Sequence, residues 1–142
     1  MIAEPDDSPG FLLWQVTLRW QRDITAALVP FGLTHVQFVL LASTWWFNTR
    51  GEQPTQVALA AHAGTDVKMA SQVVRTLERK GLLTRPVDPA DTRARRLVAT
   101  EAGLQLAPQA VGAVEAVDAA LVSRLSAADA ARFTTVLRRL RG

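Results

Sequence analysis

The 142-residue chain has no cysteine and no tyrosine, and only two histidines and two methionines. Without cysteine there is no disulfide framework, no thiolate metal site and no thiol-based redox sensing. His35 and His62 each lie beside helical apolar residues, with no histidine or acidic partner at ligand spacing. That argues against a zinc centre or a histidine-based catalytic pair. Gly51, Gly64 and Gly81 stand alone at turns, so no glycine-rich phosphate loop is present. The longest apolar run, Phe38 to Phe47, is broken by Ser43 and Thr44 and falls well short of the roughly 20 residues needed to span a bilayer. Met1 to Gly10 is acidic with two prolines, the reverse of a cationic secretory leader, and a cytoplasmic location is expected. Neither catalysis nor a bound cofactor is expected.

What is present is apolar and helix-favouring. Hydrophobic residues make up 49% of the chain, enough for one domain with a real core. After a frayed arm over the first ten residues, Phe11 to Val29 reads as a helix stopped around Pro30-Phe31-Gly32. Thr34-His35-Val36-Gln37 reads as a capping box opening a second helix to about Phe47. Gln56 to His62 is a short helix after Pro54-Thr55, and Ala63-Gly64-Thr65 a tight turn. Thr65 or Asp66 caps the next helix, which reaches Lys80, and Gly81 sits where a left-handed residue ends it. Leu82 to Val87 and Ala94 to Ala99 read as two strands, with Pro86 tolerated only at an edge. Thr100 caps a long helix toward Arg124, bent near Pro108, and Ser126 starts a last one.

Charge singles out one part of this pattern. From Asp66 to Arg96 there are eight Lys/Arg against four Asp/Glu, a balance of +4; the rest carries eight against nine, a balance of −1, for the net +3. Confined positive charge is the footprint of a nucleic-acid binder. On a helical wheel, Ala70, Val73, Val74 and Leu77 take one side and Lys68, Gln72, Arg75 and Arg79 the other, with Ser71 flanking. Gln pairs bidentately with adenine and Arg with guanine in a major groove. Arg93, Arg95 and Arg96 follow on the hairpin, where guanidinium groups suit a narrow minor groove. Asp91, two residues before Arg93, can hold that side chain by a charge-assisted pair. Helix, glycine cap and basic hairpin in this order make a winged helix-turn-helix.

Here the sequence resembles the multiple-antibiotic-resistance regulator (MarR) family. The matching run is Leu77-Glu78-Arg79-Lys80-Gly81-Leu82-Leu83-Thr84-Arg85, then Asp88-Pro89-Ala90-Asp91-Thr92-Arg93-Ala94, then Leu97-Val98-Ala99-Thr100-Glu101-Ala102-Gly103. The resemblance implies a mostly α fold with a small β wing, as one domain over 1–142. Residues 34–100 would form the winged lobe, and 11–30 and 103–142 the dimerisation helices. It implies a homodimeric regulator on a pseudo-palindromic double-stranded DNA operator, acting as a repressor. The Arg matching Arg93 would enter the minor groove, supported by the Asp matching Asp91. Ala99 replaces the family's usual Leu, and Gln72 stands where many members carry Arg, so no relative's operator can be borrowed.

Eight of the nine aromatic residues, including all four Trp, lie between Phe11 and Phe47. The resemblance implies an effector cleft between the dimer helices and the DNA-binding lobe. Trp14, Trp20, Phe38, Trp45 and Trp46 are candidates to line it, with Arg19 or Arg22 meeting an anion; core and interface filling is the competing explanation. Two other readings compete for the whole molecule. One is a winged-helix module whose arginines meet an acidic protein. The other is a membrane-surface role for Arg138, Arg139 and Arg141, against which a solvated helix end is the simpler account.

Overall fold

The structure, a computed structural model, describes residues 4–142. Only Met1, Ile2 and Ala3 of the expected frayed arm lie outside it. The rest of that arm is ordered: Pro5–Asp7 forms a 3-10 turn, and Ser8 caps the first helix by accepting from the Phe11 amide at 3.2 Å. Pro9 then occupies the first helical position, where its missing N–H costs nothing.

The described residues form α1 (Pro9–Leu28), α2 (His35–Thr49), α3 (Gln56–Ala63) and α4 (Val67–Arg79). Four short strands follow, β1 (Leu83–Thr84), β2 (Val87–Asp88), β3 (Asp91–Arg95) and β4 (Val98–Ala99), then α5 (Glu101–Leu121) and α6 (Ala127–Arg141). Local chemistry sets most of these boundaries. Thr34 and Gln37 close both halves of the capping box, at 3.3 and 3.2 Å. Thr55, Asp66, Thr100 and Ser126 each cap a helix with a side-chain oxygen, and Asp66 rather than Thr65 opens α4. Gly81, at φ +75°, ends α4 in the left-handed region that a Cβ disfavours.

α2 is the central helix, packed against α1, α3, α4 and α5. Leu40, Leu41 and Thr44 are buried on it, and the Thr44 hydroxyl is satisfied by the Leu40 carbonyl at 2.8 Å. Ile24 and Leu28 from α1, Leu59 from α3, Val74 and Leu77 from α4, Leu83 from β1 and Leu97 just ahead of β4 complete one core. Each fully buried aliphatic side chain contributes about 1.5–3 kcal/mol. Among the described residues no single helix is long and apolar enough to cross a membrane. α5 contains Pro108 on its exposed side and ends at Leu121, three residues short of the expected Arg124.

The two strands expected over Leu82–Val87 and Ala94–Ala99 are instead two separate antiparallel ladders. β1 pairs with β4, Leu83 opposite Ala99, and β2 pairs with β3, Val87 opposite Arg95. Pro86 lies at the break between them, exposed, offering its carbonyl to the Arg96 amide at 2.9 Å. A proline has no N–H to continue a ladder, so the hairpin is interrupted there. A register shift at Val87/Asp88 bends the outer part further.

Candidate nucleic-acid interface

α4 is divided as its sequence pattern requires. Ala70, Val74 and Leu77 are buried, while Lys68, Gln72, Arg75 and Arg79 are exposed on the opposite side and Ser71 is half-buried at the flank. The Arg79 guanidinium donates to the Thr76 hydroxyl at 3.0 Å, which fixes its direction along the helix. At the C-terminal end of α4, the Lys80 ammonium donates to the Gly32 carbonyl at 2.6 Å and to the Gln37 side-chain carbonyl at 2.8 Å. One cation therefore clamps α4 to the start of α2 through the same glutamine that completes the capping box. Sequence reading missed this role, because nothing in residue spacing brings position 80 to 37.

The three hairpin arginines separate. Arg93 is exposed, and its guanidinium takes part in none of the ion pairs or side-chain hydrogen bonds among the described residues. Arg95 is exposed and donates once, to the Arg85 carbonyl at 3.2 Å. Arg96 corrects the expectation of a DNA-facing side chain. Its Nη2 lies 2.7 Å from Asp88 Oδ2, its Nε donates to the same oxygen at 2.9 Å, and its Nη1 donates to the Gln53 carbonyl at 3.1 Å. The side chain is spent fastening the wing to the α2–α3 loop. Asp88 is buried, and its carboxyl is held below the usual carboxylate range by the Ala90 amide first and the Arg96 guanidinium second. Asp91 is corrected as well: its carboxylate accepts from the Arg93 backbone amide at 3.0 Å and makes no ion pair with the guanidinium. It shapes the turn that presents Arg93 instead of holding the side chain.

Asn48 is a second residue to which the sequence pattern assigned no role. Its amide donates to the Glu52 carbonyl at 2.9 Å and the Leu97 carbonyl at 3.2 Å, and its side-chain carbonyl accepts from the Ala99 amide at 2.8 Å. β4 is thus pinned to the end of α2. The closing part of the signature run is equally structural. Thr100 bonds the Gly81 carbonyl at 2.6 Å through its hydroxyl and the Leu82 carbonyl at 3.0 Å through its amide. A Cβ on Gly103 would run into the Leu82 carbonyl oxygen. Glu78 pairs with Arg85 at 3.1 Å, tying α4 to the residue after β1.

The proposed effector residues do not converge within the chain. Phe38 is buried in the core at 8% exposure, where it packs as filler, and Trp45 is a half-buried neighbour of that core. Trp14 is 60% exposed on α1, and Arg22 borders a shallow groove with Leu18 and Thr25. Only Trp20 lines the large cavity of about 580 Å³ between α1, α5 and α6, which is otherwise walled by residues such as Leu13, Val16, Phe133 and Leu137. The sequence window clusters these residues along the chain, but helical rotation points them in different directions. Trp20 donates to Asp118 Oδ1 at 2.9 Å and meets the His35 ring edge-on at 5.1 Å. His35 is therefore half-buried, and burial lowers its pKa against the opposing pull of Asp118. His62 stacks on Trp46 at 5.6 Å, with Arg50 over the same indole at 4.1 Å.

With this geometry in place, residues 33–94 match the model of the MarR family. The chain is 48% identical over 116 residues to an uncharacterised HTH-type transcriptional regulator, YdcH of Bacillus subtilis, covering 82% of this chain and 79% of that protein. It is 32% identical over 136 residues to the HTH-type transcriptional repressor Rv2887 of Mycobacterium tuberculosis, covering 95% of each. The structure of Rv2887 in complex with DNA superposes with a TM-score of 0.75 at 30% identity, over 96% of this chain and 100% of that one. Its complex with salicylic acid superposes at 0.71 and 32% identity, over 96% and 99%. CouR from Rhodococcus jostii, bound to p-coumaroyl-CoA, superposes at 0.86 and 27% identity, over 98% and 95%.

Proposed function

That this chain belongs to the MarR family of helix-turn-helix transcriptional regulators is the premise from which we infer its activity: it binds a pseudo-palindromic double-stranded DNA operator as a homodimer and represses transcription there. The outward face of α4 carries this reading. Lys68, Gln72, Arg75 and Arg79 are exposed together on a helix whose other side is anchored in the core, and Arg93 projects beside it with no side-chain partner among the described residues. α4 enters the major groove, Gln72 and Arg75 meet base edges, Lys68, Ser71 and Arg79 meet edges or phosphates, and Arg93 reaches the minor groove with Arg95 behind it. The relative Rv2887, named a repressor and crystallised with DNA, supports the same assignment. His35 and His62 are both engaged in aromatic contacts, which supports a binding role over a catalytic one. A DNA target supports a cytoplasmic location.

The dimer rests on α1 and α6. α6 has no buried residue, yet it carries Val136, Leu137 and Leu140 exposed, and Phe11, Leu12, Leu13 and Trp14 are exposed on α1. A 15-residue helix without packing is marginal in water, so α6 requires a partner. The cavity between α1, α5 and α6 is the slot a second copy fills. Two copies place two winged lobes about 34–36 Å apart, on successive major grooves. A small aromatic or anionic effector releases the operator by preferring the DNA-incompetent state. Support comes from the relatives holding salicylic acid and p-coumaroyl-CoA.

Selection of bound duplexes from a random library by the purified chain tests this reading. The expected product is an inverted repeat with half-site centres about one helical turn apart. Its affinity should fall with salt by about 0.9 log units per log unit for each phosphate neutralised. Enrichment of no sequence overturns the assignment and leaves the wing arginines to an acidic protein partner.

A further inference from the structure

α4 has one feature that a polar reading face does not explain. Its first turn holds two apolar side chains in solvent, Val67 at 47% and Met69 at 45% exposure, while the apolar residues further along, Ala70, Val74 and Leu77, are buried. Asp66 caps that turn by accepting from the Met69 amide at 2.7 Å, so the backbone under both side chains is held in place. On the wheel Val67 falls about 40° outside Ser71 and Met69 about 60° outside Gln72, so the two bracket the Lys68–Gln72–Arg75–Arg79 stripe from either side. Side chains on a helix tilt toward its N-terminus, so these two project from the tip, the part of a recognition helix that reaches base edges.

We propose that Val67 and Met69 read thymine through its C5-methyl group, making the operator half-site depend on thymine at the positions they reach. Resting on the DNA-binding reading above, this adds two specificity-determining residues and names the base they select. In the major groove the thymine methyl is the one apolar group among the base edges; adenine, guanine and cytosine offer donors and acceptors there. An apolar side chain set against those polar edges desolvates them without pairing them. Against a methyl it buries apolar surface on both sides. The polar stripe between the two flanks fixes the register, and the flanks discriminate thymine from cytosine, whose edge differs by a methyl and an amino group.

Replacing thymines one at a time with deoxyuridine, in the duplex selected by the 142-residue chain, tests the proposal, because the two bases differ only in the C5-methyl. At one or two positions per half-site the affinity should fall about three- to fivefold, the effect of exposing one methyl-sized group. Val67→Ala or Met69→Ala should then bind the thymine and uracil duplexes equally at its own position. Both sites are exposed positions in a helix, where alanine is the most favourable residue, so folding is not at risk. Equal affinity for every uracil-substituted duplex overturns the proposal. So does a uracil penalty that persists unchanged in both variants. In either case the unsubstituted duplex is still bound, and the DNA-binding reading stands.

Discussion

Arg93, Arg95 and Arg96 share one chemistry and stand within four residues, but their surroundings divide their work. Arg96 is held by Asp88 and the Gln53 carbonyl, whereas Arg93 has its guanidinium in solvent. Removing Arg93 should leave the melting temperature unchanged and weaken operator binding about tenfold or more, the scale of a lost charge-assisted contact. Parallel melting curves and fluorescence-anisotropy titrations at near-physiological salt check both halves of that expectation. Asp88→Asn should behave in the opposite way. The Asp88 carboxyl is held below its ordinary value in the folded chain, so its stabilisation is present above the unfolded carboxylate pKa and lost as pH falls through the folded one. The variant should therefore melt below the parent at pH 7, and the two curves should approach each other on acidification below the usual carboxylate range.

At the scale of elements, the caps and glycines explain why the helices and wing have their places. Gly81 frees the chain to leave α4, and Gly103 lets α5 begin against the Leu82 carbonyl. The obstruction at Gly103 is backbone, which cannot swing aside as a flexible side chain does. Gly103→Ala should cost about 1–3 kcal/mol, the range for overpacking a tight site. Urea unfolding with an unchanged m-value would report it. Much of this level was legible in the residues. The Thr34–Gln37 box, the Gly81 stop and the amphipathic split of α4 all depend on residues within four positions of each other. The wing was legible only in outline. Pro86 was read as part of an edge strand, whereas it stands outside every strand at the break between the two ladders, and β4 of the inner ladder is held by Asn48, about 50 positions away.

For the whole molecule, the exposed leucines of α6 and the aromatic end of α1 are the features a lone chain cannot account for. Leu137→Glu combined with Leu140→Glu should shift the protein from dimer to monomer in sedimentation. Burying a charge in that interface is costly. The same variant should lose affinity for a full operator and show about half the salt dependence, since one lobe neutralises about half as many phosphates. Retention of dimer mass would move the interface off α6. The dispersal of Trp14, Trp20, Arg22, Phe38 and Trp45 belongs to this scale too. Their nearness along the chain suggested a shared cleft, but each helix turns its neighbours about 100° apart, and only Trp20 reaches the cavity wall.

By itself the amino-acid sequence determined the order of elements, the face of α4 that meets solvent and the concentration of positive charge between Asp66 and Arg96. Those properties arise from periodicity, caps and composition over short stretches of chain. Only the tertiary structure decided which arginine fastens the wing and which is free, that Lys80 clamps α4 to α2, and that Asn48 holds β4. Each of these is a hydrogen bond or ion pair closed across the fold. A pattern of residues can say that a donor exists, but its partner is set by packing.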